Sequence, residues 1–299
     1  MNLCDVRFVK RLMAKYETGT KKSFGQNFLI NRNVPISIAD ESYSYHSSKV
    51  MGESGVIEIG PGIGSLTYEL SQLYNKVVAV EIDKTLIPIL SETLEECDNV
   101  TVINEDFLKL DLNSFINEHF NGSTVSVCAN LPYYITTPII MKLLENARDS
   151  EGKSALTSIT VMVQKEVASR LCASSKDKDY GAITASINYY GRAVKLFDVM
   201  PESFLPPPKV TSTVIRIELY DKPIYKTKSE KMLFKVIEGA FAQRRKTMVN
   251  SLSSVFTNIP KSRIGEIITD AGFDINIRGE KLSIEEFCAL ADKFYGELN

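Results

Sequence analysis

The pattern of this 299-residue chain predicts an α/β fold, a mostly parallel sheet covered by helices and followed by a smaller all-helical domain. Three observations carry the prediction. From residue 55, short β-branched runs alternate with stretches whose apolar residues recur at three- and four-residue spacing, as in βαβ units. After Pro223 the β-runs stop and only helical patterns remain. Hydrophobic residues make up 44% of the chain and charged residues 24%, enough for a sizeable core beneath a water-facing surface.

Taken in order, residues 1–22 form a basic arm in which Val9, Leu12, Met13 and Tyr16 fit a helical stripe. Val56–Ile59, Lys76–Val80, Val100–Ile103, Thr124–Cys128 and Ile159–Val163 read as strands, with helical patterns such as Leu66–Leu73 and Ile87–Leu94 between them. Such alternation requires crossover helices on both faces of a parallel sheet. Val194–Phe197 and Val214–Leu219 flank Pro206-Pro207-Pro208, which cannot lie inside a central strand, so they read as an edge hairpin closing the sheet. Met232–Phe241, the Ile264, Ile267 and Ile268 group, and the series Ile284, Phe287, Leu290 and Phe294 read as amphipathic helices. Gly272 supplies a stop after the second, and Ser283 with Glu285 and Glu286 a start for the third. The expected domains are 1–222 and 223–299.

Composition excludes several functions. No stretch of about 18 uncharged apolar residues appears, which argues against a membrane span. Five scattered cysteines form no CxxC pair, and the two histidines, His46 and His119, lie in polar neighbourhoods and read as surface residues. A metal site or a disulfide framework is hard to build from these, and the expected setting is a reducing cytoplasm. The net charge of −2 hides three regions: about +5 over residues 1–35, −11 over 36–150 and +4 beyond. An acidic middle between basic ends fits a module that holds a cationic cofactor between surfaces that touch phosphate. It equally fits charge scattered for solubility.

The first strand runs into Glu58-Ile59-Gly60-Pro61-Gly62-Ile63-Gly64 ahead of a helix, a glycine loop that lets a ligand approach the backbone closely. Glu81, 21 residues beyond Gly60 at the end of the second strand, can accept from both hydroxyls of a ribose. Loop and acid together indicate an adenosine-type cofactor. Asp106, after the third strand, can accept from an adenine amine while Phe107 packs on the ring, although an Asp there is also a common helix cap.

Ala129-Asn130-Leu131-Pro132-Tyr133-Tyr134, after the fourth strand, is the most specific segment. An exocyclic aromatic amine is a poor nucleophile because its lone pair is delocalised into the ring. The Asn130 side-chain oxygen and the Leu131 carbonyl, fixed by Pro132, can accept its two hydrogens and bias the nitrogen toward a pyramidal geometry. Tyr133 offers a ring on which a flipped base can stack. Positioning then carries most of the catalysis, and no general base is required.

With these residues in view, the chain resembles the adenine dimethyltransferases of small-subunit ribosomal RNA, the KsgA type. The resemblance runs from Phe24-Gly25-Gln26-Asn27-Phe28-Leu29 through the glycine loop, Glu81, Asp106 and Asn130-Leu131-Pro132-Tyr133. It continues through Gln164–Ala168 and Phe204–Val210 to Phe241-Ala242-Gln243-Arg244-Arg245-Lys246-Thr247. It implies a Rossmann-like methyltransferase domain and S-adenosylmethionine as the cofactor. Asn27 and Leu29 would close over the methionine end, Gly60 and Gly62 would approach the cofactor, and Glu81, Asp106 and Asn130 would bind it. Phe204 would form the second wall of the target-base pocket, unless it is only a core aromatic. Arg244, Arg245 and Lys246 would meet RNA phosphates. The implied partner is small-subunit rRNA within a pre-ribosomal particle, the implied state a monomer without metal or membrane attachment.

Three rival readings are weighed against this one. The related large-subunit adenine methyltransferase of macrolide resistance shares the cofactor and Asn-Leu-Pro-Tyr segments but not Gln243–Thr247. A non-catalytic assembly factor would tolerate loss of Glu81 or Asn130, and both are present. An NAD dehydrogenase would need a longer glycine spacing.

Overall fold

The β-branched runs pair because each is apolar on both faces and must be covered on both. The structure is a computed structural model and describes residues 2–19, 26–132, 134–148, 152, 154–175 and 177–298. In chain order the first elements are α1 (Val6–Lys15), β1 (Phe28–Leu29), α2 (Asn33–Lys49), β2 (Gly55–Ile59), α3 (Ser65–Ser71), β3 (Lys76–Glu81), α4 (Ile87–Thr93) and β4 (Val100–Asn104). Next come α5 (Leu112–Phe120), β5 (Val125–Asn130), α6 (Thr136–Glu145), β6 (Leu156–Gln164), α7 (Lys165–Leu171), α8 (Ala182–Tyr190), β7 (Gly191–Val199), β8 (Phe204–Leu205) and β9 (Ser212–Leu219). Helices α9 (Glu230–Ala242), α10 (Met248–Ser253), α11 (Lys261–Asp270) and α12 (Ile284–Leu298) complete the chain.

A seven-stranded sheet has the order β4-β3-β2-β5-β6-β9-β7. Its first five strands are parallel, and β9 runs antiparallel to β6 with Val161 opposite Ile215. Each predicted strand is present, and the predicted hairpin is the β9-β7 edge. Between those two strands the chain leaves the sheet, and β8 pairs with β1, Phe204 opposite Leu29. The chain proceeds outward from β2 through β3 to β4, then returns to add β5 on the other side. That reversal opens a crevice beyond the carboxyl ends of β2 and β5, where ligands bind in open α/β sheets.

The chain divides into two compact units, residues 1–168 with 193–222, and residues 169–192 with 223–299. The expected boundary at 222/223 is therefore incomplete, because α8 belongs with the helical unit. The cause is aromatic packing: Tyr190 stacks on Phe234 of α9 at 5.7 Å, Tyr180 meets Phe241 at 5.6 Å, and the Tyr189 hydroxyl donates to Glu230 at 2.9 Å. Within this unit, Gly272 at φ +89° follows α11 where the stop signal predicts. Ser283 and Glu286 exchange reciprocal hydrogen bonds ahead of α12, a capping box.

In the sheet unit, Val56, Val77, Cys128, Met162 and Val214 meet Ile38 and Ala39 of α2 and Leu66 and Leu70 of α3. Each such fully buried aliphatic side chain contributes roughly 1.5–3 kcal/mol. His46 contradicts the surface reading. It is 1% exposed, and its Nδ1 lies 2.9 Å from the Ser126 hydroxyl. The serines and tyrosines around it in sequence are polar because α2 buries a polar seam, in which Ser42 also bonds Tyr74 at 2.7 Å. His119 is half-buried against the Phe115 ring. Residues 6–15 of the basic arm are helical and packed on the sheet unit through Val9 and Leu12.

Candidate active site

The carboxyl ends of β2, β3 and β5 and the loop after β4 converge on one cavity of about 300 Å³. At its floor, Gly60 and Gly62 hold φ values of +71° and +63°, a left-handed backbone that glycine adopts without strain. A Cβ at Gly60 would meet nothing within 4 Å, so that backbone faces open space into which a ligand can press. Gly62 N–H donates to Glu81 Oε2 at 3.2 Å, and Asp83 N–H donates to Glu81 Oε1 at 2.8 Å. Glu81 is 4% exposed; burial pushes its carboxyl above the usual range, and these two N–H groups pull it back. An acceptor held this way at a strand end matches a ribose diol.

Asp106 caps a short 3-10 turn, its Oδ1 accepting from Leu108 N–H at 3.0 Å, and Phe107 is buried beside it. The cap and the ligand reading of Asp106 thus coexist, since the carboxylate lines the cavity as well. On the opposite wall, Asn130 Nδ2 donates to the Asn27 carbonyl at 3.3 Å. With one N–H bonded to that carbonyl, the orientation of the amide is set and its oxygen is turned to the other side. That polarity suits an incoming amine donor and not an acceptor.

Of the residues singled out in the sequence, Asn27, Leu29, Gly60, Gly62, Glu81, Asp106, Asn130, Leu131, Pro132 and Phe204 line this one cavity. Tyr133 lies outside the described residues. Phe204 is 2% exposed and is both a core aromatic and a cavity wall, held by the β1-β8 pairing. Arg244, Arg245 and Lys246 lie in the exposed turn between α9 and α10 of the helical unit. Arg244 Nη2 donates to the carbonyls of Lys178 and Tyr180 at 2.9 and 3.0 Å, which gives it a structural task in that unit.

Several cavity residues escape the sequence reading. Gln26 donates to Asp83 at 2.9 Å and ties the segment before β1 to the loop after β3. Ile82, 51% exposed, follows Glu81 and offers an apolar surface; an isoleucine left exposed just past an acid is a signal only once burial is known. Glu58 lies under the glycine loop, 1% exposed, with Oε2 unpartnered among the described residues. Burial pushes its carboxyl up to about 8, the neighbouring Glu81 adding in the same direction.

The lining holds four carboxyl groups, Glu58, Glu81, Glu105 and Asp106, and among the described residues no lysine, arginine or histidine. Burial keeps Glu58 protonated near neutral pH, and the acidic lining left by Glu81, Glu105 and Asp106 repels the phosphates of a dinucleotide and accepts a cation. S-adenosylmethionine fits this lining: Glu81 would hold its ribose hydroxyls, the Ile82, Asp106 and Phe107 end its adenine, and the acidic wall its positive charge. No group of histidines, cysteines or acids able to hold a metal occurs among the described residues, and no described helix is long and apolar enough to cross a membrane.

A family model for ribosomal RNA adenine dimethylase matches residues 18–295. Ribosomal RNA small subunit methyltransferase A of Alkaliphilus oremlandii is 46% identical over 97% of this chain and 96% of its own. The protein of the same name from Bacillus cereus (strain B4264) is 46% identical over 95% of this chain and 94% of its own. The solved structure of a dimethyladenosine transferase from Plasmodium falciparum shares the fold, with a TM-score of 0.71 over 90% of this chain and 98% of its own at 22% identity. A Rossmann-like unit with an acid-lined cavity at its switch point, and a likeness that runs nearly end to end, agree with one another: the chain belongs to the ribosomal RNA adenine dimethylase family and is an S-adenosylmethionine-dependent enzyme.

Proposed function

We propose that this enzyme dimethylates two adjacent adenosines in the 3′-terminal hairpin of small-subunit (16S) rRNA, acting on a late pre-ribosomal particle. The observation that carries the chemistry is the Asn130 amide, pinned by the Asn27 carbonyl at the edge of an acid-lined cavity. Its oxygen and the Leu131 carbonyl accept the two hydrogens of the adenine amine. This turns the nitrogen lone pair out of conjugation and toward the cavity. Bound there, S-adenosylmethionine supplies an electrophilic methyl group. Pro132 stiffens the segment, Phe204 flanks the base, and the proton leaves to water once the nitrogen is alkylated.

The choice of small-subunit rRNA is supported by the relatives' names and by Gln243–Thr247, a segment in which this chain resembles the small-subunit enzymes. Arg245 and Lys246 are exposed there and meet RNA phosphates, with Arg244 bracing the turn. The protein acts as a monomer in the cytoplasm, where small subunits mature. Unmodified small subunits incubated with the protein and S-adenosylmethionine should yield dimethyladenosine by nucleoside mass spectrometry, and Asn130→Ala should not. Methylation of naked large-subunit rRNA instead would overturn the substrate.

A further inference from the structure

The helix α1 lies outside the residues matched by the family model, which begin at 18. Its ten residues include four cations, Arg7, Lys10, Arg11 and Lys15, and no acid. Val9 and Leu12 face inward and pack on Phe28, Ile63, Leu86 and Ile89. Phe28, Ile63 and Leu86 are also walls of the cofactor cavity. One layer of side chains therefore separates α1 from the site of chemistry.

Both ends of the helix are fastened. Asp5 caps the start, its Oδ1 accepting from the N–H groups of Arg7 and Phe8 at 2.8 and 3.0 Å. Near the end, the Tyr16 hydroxyl and the Lys15 ammonium both donate to Glu92. Arg7, Lys10 and Arg11 are exposed at i, i+3 and i+4, so they share one face, and Lys15 extends it by another turn. From Arg7 to Lys15 this row spans roughly 12 Å at 1.5 Å per residue. Lys15 has Glu92 and Arg7 has Asp5 at 3.7 Å, whereas Lys10 and Arg11 form no ion pair among the described residues.

The surroundings give this row a purpose. Residues 36–150, which carry most of the cavity wall, have a formal net charge of about −11, and Glu81, Glu105 and Asp106 line the cavity itself beside the protonated Glu58. That field suits a sulfonium but repels the phosphodiester chain on which the target base arrives. A fixed cationic ridge one layer of side chains from the cavity offsets that repulsion for a strand laid across it.

We propose that the outer face of α1, through Lys10 and Arg11, is a binding site for backbone phosphates of the rRNA strand that flanks the target adenosines. The proposal rests on the reading that this enzyme acts on small-subunit rRNA. Each phosphate contact releases counterions worth about sixfold in affinity at 0.1 M salt, so two contacts contribute roughly thirtyfold.

The test uses the full chain and unmethylated small ribosomal subunits, with binding titrated across a salt series. The Lys10→Ala/Arg11→Ala variant should bind roughly thirtyfold more weakly at 0.1 M salt, with a log-log salt slope shallower by about 1.5. Its KM for subunits should rise while kcat at saturation and S-adenosylmethionine affinity stay at wild-type values. The charge-preserving Lys10→Arg/Arg11→Lys variant should restore both slope and KM. An unchanged salt slope overturns the proposal, as does a loss of binding matched by a loss of cofactor affinity or melting temperature. If wild-type protein fails to methylate the subunits, the substrate reading falls instead, and the wild-type and variant salt slopes still judge α1 separately.

Discussion

Two buried ionisable groups in the sheet unit pull stability in opposite directions as pH changes. Burial lowers the His46 imidazole from 6.5 to about 4, so the folded protein keeps it neutral where the unfolded chain protonates it. Its contribution is present above pH 6.5 and is lost as pH falls toward 4. Glu58 behaves inversely. Its carboxyl rises from 4.5 to about 8, so its contribution is complete below pH 4.5 and is lost as pH rises to 8. Each pH unit between a group's two values changes stability by about 1.4 kcal/mol. From pH 4.5 to 6.5 the two slopes cancel, and from 6.5 to 8 only the Glu58 loss remains, roughly 2 kcal/mol. His46→Gln should expose the full decline from pH 4.5 to 8, roughly 5 kcal/mol. Glu58→Gln should leave only the His46 rise between pH 4 and 6.5, roughly 3 kcal/mol, and a level curve above it. Urea denaturation of the cofactor-free protein in half-unit steps from pH 4 to 9 measures all three curves. Subtracting His46→Gln from wild type cancels Glu69 and Glu81, whose carboxyls are also raised, whereas the Glu58→Gln difference reads Glu58 together with its repulsion from Glu81. Parallel curves for wild type and Glu58→Gln above pH 6.5 would refute the reasoning.

Other consequences are more local. Asn130→Ala should slow methyl transfer roughly 100- to 1000-fold in single-turnover assays, the usual cost of one preorganised acceptor or donor at the reacting centre. Glu81→Gln keeps the shape but removes the charge from two hydrogen bonds, so S-adenosylmethionine should bind roughly thirtyfold more weakly by calorimetry. Gly279→Ala would set a Cβ 2.8 Å from the Ala240 Cβ and 2.9 Å from its carbonyl oxygen. That overpacking should destabilise the helical unit by about 1–3 kcal/mol in thermal unfolding. Arg244→Ala should loosen the same unit by about 1–2 kcal/mol through loss of its bonds to the Lys178 and Tyr180 carbonyls. Arg245→Ala should leave the melting temperature unchanged and weaken only RNA binding.

Legibility of the fold follows how each element is buried. The central strands are apolar on both faces and announce themselves, and α9, α11 and α12 each carry a clear apolar stripe. The helix α2 does not, because Ser42 and His46 lie on its buried side and are matched by Tyr74, Ser126 and Thr157 instead of by aliphatic neighbours. A periodicity argument counts those residues as surface. The helix α8 fails for the opposite reason: Thr184, Ala185, Ser186, Ile187, Tyr189 and Tyr190 are all buried, leaving little polar face to alternate with. With α8 illegible, the sequence places the domain boundary at 222/223 and leaves residues 169–192 with the sheet unit. The two-residue strands β1 and β8 are too short for any alternation to show.

The site was more legible than the fold because its residues sit at strand ends, where a glycine or an acid has few structural reasons to be. Glu81 and Asn130 are in that position, and each follows a run of buried β-branched or small residues. What no spacing argument supplies is the reason the segment around Asn27 belongs to the same site, 103 residues earlier in the chain. The structure gives that reason. β1 is held against β8 by Leu29 and Phe204, which brings the Asn27 carbonyl to the Asn130 amide nitrogen. An asparagine free to flip would present donor and acceptor to the substrate with equal ease, and only one of these can receive an amine hydrogen. The strand pair therefore does chemical work at a distance: by fixing one carbonyl it fixes which end of Asn130 faces the base. Shortening or repositioning the β1 segment should lower kcat even where every cofactor contact is kept.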